Sequence, residues 1–384
     1  MIKISPNPKD RLKPEMIESI KDPKVFFDVH AHIFNYQDVP NGFLGIRLPF
    51  NVRFLTKMEH LLHRLINKTD TDKLSNLAYF IEFFRTKTSK ETTQKIESYY
   101  PGVKLVFCPL MMDMAHGING KIQDPYNEQI EKMKTIRDEF PHQILPFFAA
   151  DPNNPEMYDN FIKVFSDEKD YQFNGVKIYP SLGYLPSHPE LMKIFEICAE
   201  KKIPVTAHCA SAIVHASKKT IRNIKGWHYE PGKGFVDTPI DKRFRRKPEY
   251  AEFFNHPRNW MPVLEKFPNL KLNLAHFGGD DQWENFMKGA GDSWVSRIID
   301  LMQRFPNVYS DFSCTLHDRS LSLQLKKLIT DNALIASRVL YGSDYYMIVK
   351  EGHFRSLKIN FTTLMGDDIM NMIAVENPKK FLFG

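Results

Sequence analysis

Asp28-Val29-His30-Ala31-His32 is the stretch of this chain best suited to chemistry. It closes a run opened by Val25, Phe26 and Phe27, residues that favour a β-strand. Side chains alternate along a strand, so Asp28, His30 and His32 are expected on one face. Two imidazoles two positions apart on a rigid strand can ligate one cation, and a carboxylate beside them can orient the rings. Taken alone, the pair fits two hydrogen-bonded core histidines equally well. Three further runs also end in a residue able to hold a metal: Pro204 to His208, Leu272 to His276 with Phe277-Gly278-Gly279 behind it, and Leu340 to Asp344.

Residues so far apart can meet only if the elements carrying them share an edge. Eight short apolar runs are expected to be strands: 25–32, 103–110, 144–150, 175–179, 203–208, 270–276, 308–313 and 339–344. Most are continuously apolar, as in strands covered on both faces. Helical periodicity falls between them, as in Leu191, Ile194, Phe195, Cys198 and Ala199 with Pro189 in the first turn. An open doubly wound sheet is disfavoured, because no Gly-rich turn follows the first run. The expected fold class is therefore α/β, a (β/α)8 TIM barrel whose strands end on one common rim. It is read as a single domain over 1–384, with helical and loop insertions at about 35–100 and 209–269. Helical patterns at 54–66 and 77–84 suggest a small cap in the first insertion. The second mixes aromatic and basic residues, and Tyr179, Arg222, Trp227 and Tyr345 are candidates to line a substrate pocket.

The DxHxH opening, the strand-end histidines and Tyr341-Gly342-Ser343-Asp344 resemble the amidohydrolase superfamily. The likeness is greatest to its group of metal-dependent hydrolases around aminocarboxymuconate semialdehyde decarboxylase. His256-Pro257-Arg258-Asn259-Trp260, Leu264 to Pro268, Ala275 to Gly279, and Glu376-Asn377-Pro378 with Phe381 are similar to that group's signature. The resemblance implies that His30, His32, His208 and Asp344 bind one divalent metal and that His276 is the catalytic histidine. Nitrogen and oxygen donors of this kind suit Zn²⁺, with Mn²⁺, Fe²⁺ or Co²⁺ as substitutes. The chemistry implied is metal activation of water, with Asp344 accepting a proton and His276 stabilising or protonating the reacting oxygen. Lys177 stands where some members carry a carboxylated lysine bridging two metals. A single metal, with Lys177 binding a substrate carboxylate or a buried carboxylate neighbour, is the preferred expectation. His116, His215, His228, His256 and His317 are not expected to be ligands.

Hydrophobic residues make up 42% and charged residues 26% of the 384, which suits a folded globular chain. A net charge of +6 gives little support to a nucleic-acid partner. Lys242-Arg243-Phe244-Arg245-Arg246-Lys247 reads as a solvated loop, a subunit contact or a lid for an anionic substrate, and self-association is left open. No signal peptide or membrane-length apolar run is found, so a cytoplasmic location is expected. Cys108, Cys198, Cys209 and Cys314 lack metal-site spacing and are expected to be reduced and structural. The activity expected is metal-dependent hydrolysis of a C–N or C–O bond in a small carboxylate-bearing molecule. The alternatives are a non-oxidative decarboxylase and a catalytically silent, metal-stabilised binding barrel.

Overall fold

The computed structural model describes residues 4–40, 87–166, 172–211, 216–217, 220–230, 232–237 and 248–384. The helical patterns at 54–66 and 77–84, His215 and the basic cluster at 242–247 lie outside these residues, as does the Arg222 side chain, although its backbone belongs to the turn Thr220–Asn223.

Each of the eight expected runs contains a strand. These are β1 (Val25–Ala31), β2 (Lys104–Pro109), β3 (Phe147–Ala149), β4 (Gly175–Ile178), β5 (Val205–His208), β8 (Leu272–Ala275), β9 (Val308–Asp311) and β10 (Val339–Leu340). The short strands β6 (Trp227–Glu230) and β7 (Gly234–Asp237) form an antiparallel hairpin in the second insertion. β1 pairs with β2, and β3-β4-β5-β8-β9-β10 form a continuous parallel sheet. Bridges from Phe107 to Ile144 and from Leu110 to Phe147 join β2 to β3, and a bridge from Ala31 to Tyr345 closes the ring. The architecture is an α/β TIM barrel. Strands such as Leu105 to Cys108 are buried throughout, which explains why the sequence shows runs and not alternation.

Helices between the strands bury one stripe each. Pro189–Glu200 buries Leu191, Ile194, Phe195 and Cys198, and the His188 ring caps its start by accepting from the Glu190 N–H. Trp294–Arg304 buries Val295, Ile298 and Leu301, and the Ser293 hydroxyl caps it by accepting from the Ser296 N–H. A cap of that kind contributes about 1 kcal/mol. Ser89–Ser98 leads into β2 and Met261–Lys266 into β8, so both stretches read as insertions contain helical crossover structure near their ends. Among the described residues no helix is long and apolar enough to cross a membrane.

Several expected strands run one or more residues past the observed ones, and at β8 the backbone explains it. His276, with φ of 67°, breaks the extended geometry immediately after β8; Cys314 and Asp344, with φ of 62° and 54°, are also left-handed but lie three and four residues beyond the ends of β9 and β10. Non-glycine residues held there cost free energy, and such residues concentrate at functional sites.

Candidate metal centre

His30 and His32 leave β1 with their rings in different hydrogen-bond settings. His32 Nδ1 lies 3.0 Å from the Leu110 carbonyl oxygen, which can only accept, so the ring proton sits on Nδ1. His30 Nδ1 lies 3.2 Å from Asp311 Oδ2 and likewise donates. Each ring therefore keeps its lone pair on Nε2. Both lone pairs face one carboxylate: Asp344 Oδ1 is 3.4 Å from His32 Nε2 and 3.7 Å from His30 Nε2. All three residues are buried, their ligand atoms lie within 4.8 Å of one another, and His30 Nε2 has no hydrogen-bond partner. The orphaned lone pair of His30 and that of His32, both beside a carboxylate, are what a divalent cation requires, so these residues fit the metal that the sequence implies.

The backbone holds Asp344 there. Its N–H donates to the His30 carbonyl at 2.7 Å, and the His32 N–H donates to the Tyr345 carbonyl. Gly342 permits the approach, since a Cβ there would stand 2.7 Å from the His30 Cβ. Asp28 pins the same seam, accepting from the Ser343 N–H at 2.9 Å and from the Tyr100 hydroxyl at 2.9 Å. Here the structure corrects the sequence reading. The pairing of β1 is irregular between Asp28 and Ala31, and the Asp28 carboxylate touches neither imidazole through a hydrogen bond.

Asp311, which sequence reasoning missed, orients His30. It also accepts from the Asn273 amide at 2.7 Å, the His276 N–H at 3.1 Å and the Ser313 N–H at 3.1 Å. Burial alone would raise its pKa, but His30, His276 and the Ser313 hydroxyl hold it well below the usual carboxylate range. A second cluster of His30, His276 and Asp311 also has ligand geometry. Its carboxylate already receives five donors, the Ser313 hydroxyl among them, which leaves it poorly placed to take a cation of its own.

His208 and His276 meet each other, with Nδ1 of the first 3.0 Å from Nε2 of the second. His208 Nε2 faces the Ser211 carbonyl and His276 Nδ1 faces the Ser313 carbonyl, each at 3.3 Å, so each ring has a proton acceptor on its far side. His208 is therefore engaged with His276 and is absent from the His30–His32–Asp344 cluster. The Ser313 hydroxyl lies 2.9 Å from His276 Nδ1 and 3.0 Å from His30 Nδ1, linking both halves of the centre. Burial, then neighbouring charge, keeps His32 and His208 well below the ordinary imidazole range and lowers His276 to about 3. These rings are neutral, the state a metal ligand or proton acceptor needs.

Lys177 is buried beside the centre, and its Nζ has no hydrogen-bond partner. Burial lowers its pKa to about 8, against the pull of Asp311 and Asp344. A cavity of about 250 Å³ opens over His32, His208, His276 and Asp344. Phe34, Met112, Tyr179 and Met347 give it an apolar side, and Asp280, Asp281 and Glu351 an acidic one. Tyr179 stacks on His208 with ring centroids 4.4 Å apart. Trp227 is 46% exposed on the hairpin, and Tyr345 is buried against Tyr99 and Phe354; neither lines this cavity. All four cysteines are free, but Cys314 lines the cavity wall and is not fully buried in the core. His228 pairs with Glu230, His256 caps a turn, and His317 Nδ1 donates to the Cys314 carbonyl.

The amidohydrolase family model matches residues 123–384. The chain belongs to the amidohydrolase family. It is an enzyme of that family, which is typically metal-dependent. Solved structures resemble its fold at low identity. A 2,6-dihydroxybenzoate decarboxylase from Rhizobium is 12% identical, with TM-score 0.53 over 94% of this chain and 98% of that one. A 5-carboxyvanillate decarboxylase from Sphingomonas paucimobilis is 13% identical, with TM-score 0.52 over 94% and 99%. A probable 2-pyrone-4,6-dicarboxylic acid hydrolase from Acinetobacter baumannii is 12% identical, with TM-score 0.50 over 94% and 99%. No curated protein matches the chain.

Proposed function

We propose that this amidohydrolase uses one divalent cation, Zn²⁺ first with Mn²⁺, Fe²⁺ or Co²⁺ as substitutes, to hydrolyse a C–N or C–O bond in a small carboxylate-bearing molecule. The convergence of two Nε2 lone pairs on Asp344 carries this reading. His30, His32 and Asp344 are the proposed ligands. His208 is a fourth donor on the strength of the resemblance, although here it is bonded to His276. When bound, such a cation lowers the pKa of water to about 7 and polarises a substrate oxygen.

The protein's own groups do the remaining work. Asp344 accepts the proton released as water attacks. His276, kept neutral by burial, relays a proton toward the leaving group. Tyr179, stacked on His208, offers a flat wall to the substrate, and the Lys177 charge offsets an anionic substrate group. A single cation is preferred because Asp311, the carboxylate of the second cluster, is already saturated.

Non-oxidative decarboxylation is the second reading. Two of the structures sharing this fold are named as decarboxylases of aromatic acids, and the same residues could bind a carboxylate and move a proton as carbon dioxide leaves. Metal quantification joined to a screen of amides, lactones and aromatic carboxylates tests both. Acid release supports hydrolysis and carbon dioxide release supports decarboxylation. Absence of bound metal in protein reconstituted with each of the four cations would overturn both.

A further inference from the structure

Ser313 has no part in the reaction above, yet its buried hydroxyl touches three of the groups that build the centre. It stands two residues beyond the end of β9. Its N–H donates to Asp311 Oδ1 at 3.1 Å, a turn in which the aspartate side chain bonds its own backbone two residues on. Cys314, left-handed at φ 62°, then carries the chain away. Gly342 clears the space opposite, since a Cβ there would stand 3.2 Å from the Ser313 Cβ and 3.5 Å from the Asp311 Cβ, besides crowding His30.

A serine hydroxyl has one proton to give and two lone pairs with which to receive. Asp311 Oδ1 takes the proton, because a carboxylate that collects five donors can only accept. Both lone pairs are left for donors, and two imidazole nitrogens occupy them: His30 Nδ1 at 3.0 Å and His276 Nδ1 at 2.9 Å. Each of those nitrogens must therefore be an N–H. Independent neighbours agree, because His30 Nδ1 also lies 3.2 Å from Asp311 Oδ2 and His276 Nδ1 3.3 Å from the Ser313 carbonyl, both of them acceptors. With Nδ1 protonated, each neutral ring keeps its lone pair on Nε2. That of His30 faces Asp344, and that of His276 faces His208 Nδ1, 3.0 Å away.

We propose that Ser313 is a positioning residue whose one hydroxyl sets the ring protons of His30 and His276 together, turning the first Nε2 lone pair toward the cation site and the second toward the cavity. The two rings depend on it unequally. His30 has a carboxylate as its second acceptor and keeps its tautomer without the serine, whereas His276 has only the more distant carbonyl. What this orientation does for catalysis rests on the reading of His30 as a ligand and His276 as the proton-transfer group. The proton positions do not rest on it, and they are what the test reads.

Nitrogen-15 spectra of the metal-free protein report the tautomers without substrate or turnover. In the wild type, His30 and His276 should each show a protonated Nδ1 and a bare Nε2; an Nε2–H form of either ring would overturn the assignment. In Ser313→Ala, His276 should lose that single form, its two nitrogen shifts moving toward each other as the tautomers mix, while His30 stays as it was. Unchanged His276 shifts in the folded variant would also overturn it, as would equal changes at both rings, the mark of a general loosening. Ser313→Cys keeps a weaker acceptor and should move His276 part of the way; it stands in if the alanine variant does not fold, and no movement there counts against Ser313 in the same way. Metal content and turnover judge the wider reading separately, so a centre that binds no cation would leave the tautomer result untouched.

Discussion

Asp311 Oδ2 and His30 Nδ1 stand 3.2 Å apart across the barrel interior, and this contact fixes which nitrogen of His30 faces Asp344. Carboxylates behind a ligating imidazole typically contribute ten- to a hundredfold in metal affinity. Asp311→Asn should therefore weaken metal binding by about that factor with the barrel intact. Competitive chelator titration, with circular dichroism as the folding control, reads this directly. Unchanged affinity would mean that Asp311 serves only packing.

The proposed ligands differ from the proposed proton-transfer group. His30→Ala or Asp344→Asn should lose metal and activity together while remaining folded, because these residues sit at the functional rim. His276→Ala should keep its metal and lose about 10²- to 10⁴-fold in turnover. Metal content per chain, measured beside steady-state rates on whichever substrate the screen returns, separates the two classes. Equal metal loss in all three would erase the distinction.

Gly342 lets two backbones touch. Gly342→Ala places a methyl 2.7 Å from the His30 Cβ, so the strand ends must separate. Overpacking of this sort costs about 1–3 kcal/mol. Thermal unfolding should show that loss together with weaker metal binding. A variant as stable as the wild type would mean that the seam is pliable.

Burial holds His276 at about 3 against an ordinary value of 6.5. The unfolded chain therefore takes up a proton that the folded chain refuses between those values, and stability supplied by neutral His276 falls as pH drops below about 6.5. Asp28, raised by burial to about 6, works in the opposite direction, so the comparison must isolate one residue. Metal-free His276→Gln should lose less stability than the metal-free wild type as pH falls from 7 toward 4. Parallel melting curves across that window would contradict the neutral assignment.

The strands that carry His30, His32, His208 and His276 were readable because continuous apolar runs ending in histidine are uncommon and their ends coincide only in a closed parallel barrel. Asp344 was readable for the same reason. Asp311 ends a run of the same kind, at the same end of the barrel, but a single aspartate after Val308-Tyr309-Ser310 reads as an ordinary strand-end acid. Asp28 was assigned the wrong neighbour because perfect alternation was assumed where the β1 pairing is irregular. Trp227 was proposed from its aromatic and basic surroundings, and composition says nothing about which way a hairpin side chain turns. The engagement of His208 with His276 depends on ring tautomers that a one-dimensional string does not encode.

The seam between β1 and β10 joins the first and last barrel strands, and 315 positions separate Asp28 from the Ser343 it holds. His30 and His32 emerge early in synthesis, whereas Asp344 arrives only when nearly the whole chain has left the ribosome. Proteins fold N-terminal parts first during synthesis. If His30, His32 and Asp344 hold a cation as proposed, its capture waits for synthesis of nearly the whole chain, and a stalled or truncated nascent chain carries two imidazoles without the third proposed ligand.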